Sequence, residues 1–122
     1  MLQLRSKIKP ADNCGAKDLM VLHVYRGFRH RKASIGNVVL AVVKAAIPTG
    51  LVKKKEKVRV VIVRTKKEIR RDDGSYIRFS DNAGVIIDSQ GNPRGTRIFG
   101  PIAREIKDAG FTKIASMAKE VY

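Results

Sequence analysis

Residues 58–88 read VRVVIVRTKKEIRRDDGSYIRFSDNAGVIID. The stretch begins and ends in apolar, β-branched runs, Val58–Val63 and Val85–Ile87. Between them lie Arg64, Lys66, Lys67, Arg70, Arg71 and Arg78, grouped around an Asp72-Asp73-Gly74 turn. Strand-forming residues on both sides of an Asp-Gly turn predict a β-hairpin. The flanks are apolar enough for a core, whereas the middle is too charged to be buried. The expected shape is a basic ribbon that leaves a barrel or sandwich and returns to it. Such an arm is suited to a polyanion.

The rest of the chain supports a small β-protein. With 122 residues it is long enough to bury one core without staples, and it reads as a single domain. Strand candidates follow closely at Leu19–Arg26, Asn37–Ile47, Lys57–Arg70, Ser75–Phe79 and Gly84–Asp88. Gly, Pro and Asn-Asp punctuation separates them, which predicts a mainly β fold built on a small closed five-stranded antiparallel barrel. Apolar residues on both phases of Asn37–Val43 fit closure, with loops or the tail covering the outer face. The last quarter changes character. Pro101 is suited to a first helical turn and Gly110 to a helix stop. Ile102, Ala103 and Ile106 would form the apolar stripe between them, and a second short helix is expected around Lys113–Met117. The predicted layout is a barrel over about 1–100, the ribbon over about 64–79, and a helical part over about 101–122.

The charge narrows the function. A formal net charge of +15 on a chain this short is costly in self-repulsion, and a bound polyanion relieves that cost. Nucleic acid is the first candidate. A membrane surface would call for an amphipathic basic helix or a lipidation signal, and the sequence has neither. The N-terminal MLQLRSKIKPADN lacks the pattern of a signal peptide, and the apolar window Val38–Val52 is interrupted by Lys44, Pro48 and Gly50. One cysteine, Cys14, excludes an internal disulfide and a thiolate-rich zinc site. No metal and no cofactor is expected.

Three basic groups are candidates for RNA contact. The first is the loop Arg26-Gly27-Phe28-Arg29-His30-Arg31-Lys32, in which Phe28 and His30 could stack on exposed bases. An ordinary core or hinge role for Phe28 fits equally well. The second is Lys53-Lys54-Lys55-Glu56-Lys57, whose flexible point charges suit phosphates, or simply a soluble turn. The third is the ribbon, with Arg64, Lys66, Lys67, Arg70, Arg71 and Arg78. The loop from Asp88 to Arg97 is glycine-rich but lacks the ending of a nucleotide-binding loop, so Arg94, Thr96 and Arg97 read as donors to a partner. Catalysis finds no support. Asp72 and Asp73 sit at a turn tip, and His23 reads as a satisfied strand histidine with no nucleophile placed beside it.

Several blocks together resemble the bacterial-type L-fourteen family of large-subunit ribosomal proteins. They are Val61-Ile62-Val63, then Asp73-Gly74, Phe79, Asn82 and Val85-Ile86, together with Ala11-Asp12-Asn13, Val63–Lys67, Gly95–Pro101 and Ala103-Arg104-Glu105. The resemblance runs end to end. It departs at Pro10, Cys14, Lys119, Val60 (where a small residue is common) and Gly84 (where Ala is typical). These are packing or turn positions, and they bear on local geometry rather than on function.

The resemblance implies a barrel with a projecting ribbon and two short C-terminal helices. It implies a structural constituent of the large subunit that binds 23S-type ribosomal RNA and is not an enzyme. Large-subunit proteins three and nineteen are its implied neighbours, and it would contribute to bridges with small-subunit RNA. It also implies a docking face for a ribosome-silencing factor, with Thr96, Arg97, Lys113 and Ser116 at matching positions and Arg94 beside them. The location implied is the ribosome in the cytoplasm, or the ribosome of an organelle. Two rivals stand against this reading. A free single-strand-binding barrel would need paired aromatics on a strand, and an RNA-modifying enzyme would need a cofactor loop or a catalytic dyad.

Overall fold

The structure, a computed structural model, describes residues 2–25 and 32–122. Strands β1 (Lys7–Pro10), β2 (Ala16–Val24), β3 (Val38–Ala46) and β4 (Lys57–Arg64) run in sequence as an antiparallel meander. A two-residue hairpin follows, made of β5 (Ile69–Arg70) and β6 (Tyr76–Ile77). Strand β7 (Ala83–Ile87) then pairs antiparallel with β4 and parallel with β1, which closes the barrel in the order β1-β2-β3-β4-β7. Helices α1 (Glu105–Asp108) and α2 (Thr112–Met117) complete the fold. The chain is mainly β, with a closed five-stranded barrel and two short helices near its C-terminus.

Strand periodicity explains how the core divides. Along β4, Val58, Val60 and Ile62 point into the barrel with Ile8, Leu19, Val39 and Ile86. The alternate residues Val61 and Val63 point outward, yet they too are buried, beneath Ile98, Ile102, Ile106 and Ile114. All five residues of β7 are buried. The helical segment therefore caps the outer face of β4 and β7, and this accounts for their unbroken apolar sequence. Strand β3 is different: its outward Val38, Leu40 and Val42 are only half-buried. Two-sided burial was expected there and occurs instead on β4 and β7, where the tail lies.

Four further expectations are revised. The fifth barrel strand is Lys7–Pro10, and the 75–79 segment is no barrel strand. Lys57–Arg70 is not continuous, because pairing stops at Arg64, which turns inward. Strand β2 begins at Ala16 and ends at Val24. Pro101 precedes the helix rather than opening it, since Ile102 bridges to Val121 and α1 starts at Glu105.

Two of the sequence departures prove to be one. An added Cβ at Gly84 would collide with Val60 Cγ1 and lie 3.1 Å from the Val61 carbonyl oxygen. Gly84 faces Ile62 and Val60 faces Ile86, so Val60 and Gly84 are diagonal neighbours across the β4–β7 pair, and the larger residue on one strand is accommodated by the smaller one on the other.

Candidate nucleic-acid interface

The hairpin expected from the Asp-Gly turn is present but short. Gly74 adopts a φ of +87°, which the turn requires, and its N–H donates to the Arg71 carbonyl at 3.0 Å. Asp73 Oδ1 accepts from the Ser75 N–H at 2.9 Å and from its hydroxyl at 2.6 Å. These bonds hold the Asp73 carboxyl below its usual range. The turn is thus locally determined, and its two aspartates are turn-formers. Ile69, Ile77 and Phe79 pack against the outer core, so the hairpin lies on the C-terminal segment along one face.

The six ribbon cations divide sharply. Arg64 is buried, with its Nη1 donating to the carbonyls of Phe99 (2.8 Å) and Pro101 (3.1 Å). Its Nε lies 3.0 Å from Asp81 Oδ1 as an ion pair, with the N–H angled away from hydrogen-bond geometry. Gly100, at a φ of +80°, runs so close to Nη1 that any Cβ would strike the guanidinium. Arg71 donates from Nε to Glu105 Oε1 at 2.7 Å, and from Nη2 to Glu105 Oε2 at 3.3 Å and to the Tyr122 carbonyl. These two arginines fasten the hairpin to the tail. Lys66, Lys67, Arg70 and Arg78 are exposed, with Lys67 forming a solvent-facing pair with Glu68.

Packing adds cations that spacing along the sequence does not reveal. A groove of about 270 Å³ at the hairpin base is lined by Lys7 and Lys9 of β1 together with Lys66, Asp81 and Asn82. The alternation of Lys7 and Lys9 around buried Ile8 was the available signal. On the other side of the hairpin, Arg70 shares a cleft with Arg104, here mixed with Asp72, Asp73 and Asp108. Lys53 and Lys54 are exposed on the β3–β4 turn, where the Lys53 N–H donates to Glu56 Oε2 at 3.0 Å. Lys32 is exposed, whereas Arg26, Arg29, His30 and Arg31 lie outside the described residues.

The 88–97 loop is shaped by neutral and acidic groups. Asp88 Oδ1 accepts from the N–H groups of Gln90 and Asn92, each at 2.9 Å. Asn13 Oδ1 accepts from the Thr96 N–H at 2.8 Å and the Arg97 N–H at 3.2 Å, while its amide donates to the Thr96 hydroxyl at 2.8 Å. Arg94 reaches Glu56 at 3.6 Å and the Leu51 carbonyl at 3.4 Å. A Cβ added at Gly91 would come within 3.6 Å of the Phe111 ring, so this loop runs beside the start of α2. Thr96, Arg97, Lys113 and Ser116 are exposed, and the Ser116 hydroxyl donates to the Lys113 carbonyl at 2.8 Å.

The turn that carries Asn13 also holds a buried carboxyl. Asp12 Oδ2 accepts from the Ile86 N–H at 3.1 Å and from the Cys14 thiol at 3.3 Å. Burial raises the Asp12 pKa, and burial followed by the charge of Asp12 pushes the Cys14 thiol up to about 12. A thiol held so far above neutrality stays protonated, so Cys14 serves as a packing residue. Among the described residues no three His, Cys, Asp or Glu side chains gather as metal ligands. Nor is any helix among them long and apolar enough to cross a membrane.

A barrel with outward cations and shaped loops is compatible with many RNA-binding proteins, and comparison with known proteins decides among them. The family model for ribosomal protein L14p/L23e matches residues 1–122. The chain belongs to this family. A relative from Petrotoga mobilis, large ribosomal subunit protein uL14, is 57% identical over 122 residues, covering 100% of both chains. As an L14-family protein, the chain is a structural constituent of the large ribosomal subunit, and the family is not one of enzymes.

Proposed function

We propose that the chain grips large-subunit ribosomal RNA through outward cations on and beside the hairpin, and presents its 88–97 loop and α2 to the small subunit. The observation that carries the first part is the division within the ribbon. Arg64 and Arg71 fix the hairpin to the tail, so Lys66, Arg70 and Arg78 stand on an anchored support. Cations held in place neutralise phosphates with less ordering cost than cations on a free arm. Lys7 and Lys9 extend the same surface. Recognition of this kind reads RNA shape, because side chains do not readily enter the narrow major groove of an A-form helix.

The second part rests on the family resemblance and on the exposure of Thr96, Arg97, Lys113 and Ser116. That face would meet small-subunit RNA and a ribosome-silencing factor. Large-subunit proteins three and nineteen would be the neighbours on the same subunit. With these assignments the protein would work in the cytoplasmic ribosome.

The test is the salt dependence of binding to large-subunit RNA. Replacing Lys66, Arg70 and Arg78 with Ala should flatten the plot of log affinity against log salt, by roughly 0.7–0.9 in slope for each phosphate that is no longer neutralised. An unchanged slope would remove the hairpin from the RNA-facing surface.

A further inference from the structure

The outer wall of the barrel carries a feature that the ribbon overshadows. His23 lies near the end of β2 and Tyr25 one residue beyond it, where its N–H still donates to the Val38 carbonyl of β3 at 3.3 Å, so the alternation continues and the two side chains share one face. Their rings meet edge to face, with centroids 5.1 Å apart and planes at 81°. Two strands away, Arg59 of β4 reaches back so that its guanidinium carbon sits 5.6 Å from the centre of the Tyr25 ring. The pairing register accounts for the meeting. His23 faces Leu40 and Leu40 faces Arg59, which puts all three in one cross-strand row on the outside of the barrel.

Sheet packing explains part of this arrangement. Edge-to-face rings and a cation over an aromatic face are each modestly favourable. Packing does not explain the exposure. Tyr25 remains 43% exposed, and His23 and Arg59 are exposed as well. Among the described residues, the helical segment that buries the outside of β4 and β7 does not extend over this row.

The surroundings indicate the occupant. Exposed side chains on β1 to β4 include six cations, Lys7, Lys9, Lys17, Lys44, Lys57 and Arg59, against one carboxylate, Asp18. A wall so charged favours a polyanion. Two aromatic rings and a planar guanidinium add what a phosphate alone does not use, namely flat surfaces for a flat partner.

We infer that His23, Tyr25 and Arg59 form a stacking site for an unpaired base of ribosomal RNA, with Arg59 also neutralising that nucleotide's phosphate. This site deepens the RNA-binding reading and rests on it. The partner's chemistry is a single-stranded nucleotide held by its face, and the site is tolerant of base identity because every base has a π-face.

The sequence contains no tryptophan, so Tyr25→Trp creates a single fluorescent reporter within the full chain. Titration with a short oligoriboadenylate should quench it, and inorganic tripolyphosphate, which offers charge without bases, should not. Binding to large-subunit RNA should weaken roughly tenfold in Tyr25→Ala with the salt slope unchanged. Tyr25→Phe should bind like the parent, and Arg59→Ala should lose both affinity and slope. Equal quenching by tripolyphosphate would overturn the stacking site. So would a Tyr25→Ala variant that binds like the parent while the triple hairpin variant is weakened, an outcome that leaves the general RNA reading intact. Photo-crosslinking of position 25 to a protein chain in assembled subunits would overturn it too. A parent chain with no salt-dependent RNA affinity would instead bring down the reading beneath it.

Discussion

The hairpin and the 88–97 loop are both basic, glycine-bearing excursions from one barrel, and they are anchored by opposite means. The hairpin is fastened by its own arginines. Arg64 and Arg71 end on Asp81, Glu105 and main-chain carbonyls, and are no longer available to a partner. The loop is fastened mainly by groups without positive charge, the Asn13 amide and the Asp88 carboxylate, and of its own cations only Arg94 reaches an anchor, more loosely, at Glu56 and the Leu51 carbonyl. Arg97 contributes only its backbone N–H to that anchoring, and its side chain remains exposed. The number of cations in a segment is therefore a poor measure of its interface. What matters is whether the segment's own cations hold it in place.

The largest test of this contrast is Arg64→Ala. Removing this buried arginine leaves the half-buried Asp81 and two carbonyls without their donor, and should destabilise the fold by about 2–4 kcal/mol in urea unfolding. A loss under about 1 kcal/mol would mean that the hairpin base is held by packing alone. Asn13→Ala should cost less, about 1 kcal/mol, because its hydrogen bonds are exposed. Its distinctive effect should be local, with faster amide hydrogen exchange at Thr96 and Arg97 and none at the hairpin. Exchange that rises equally in both regions would mean that the two excursions share one anchor. Arg97→Glu should have the smallest effect on stability, within about 0.5 kcal/mol. It should nevertheless impair subunit joining or silencing-factor docking more than it impairs large-subunit assembly. Equal loss of assembly would move Arg97 to the surface that faces large-subunit RNA.

Much of this was legible in the sequence, for identifiable reasons. The Asp72-Asp73-Gly74 turn is a local decision, settled by hydrogen bonds within a few residues, and it could be read directly. The apolar runs of β4 and β7 were equally plain, because burial on both faces removes polar residues altogether. Strand β1 escaped notice because Lys7–Pro10 contains a single core residue, Ile8, and owes its pairing to distant β2 and β7. The break after Arg64 also went unseen. No glycine or proline marks it, and its cause is a pair of carbonyls more than thirty residues further along the chain. The aromatic pair was half visible. The spacing of His23 and Tyr25 fits one face of a strand, but Arg59 joins them only through a register that spans three strands.

Barrel closure has a consequence for how the chain is made. Strand β7 pairs with both β1 and β4, the two open edges of the meander. Until residues 83–87 leave the ribosome that synthesises them, any sheet of the first four strands would have two unpaired edges, the usual template for misassociation. Pairing the first strand with the last is also a long-range step and so an intrinsically slow one. During that interval the exposed lysines of β1 and β4 have a second use. A strongly cationic edge repels its own copies, so the charge proposed to grip RNA would also keep unfinished chains apart.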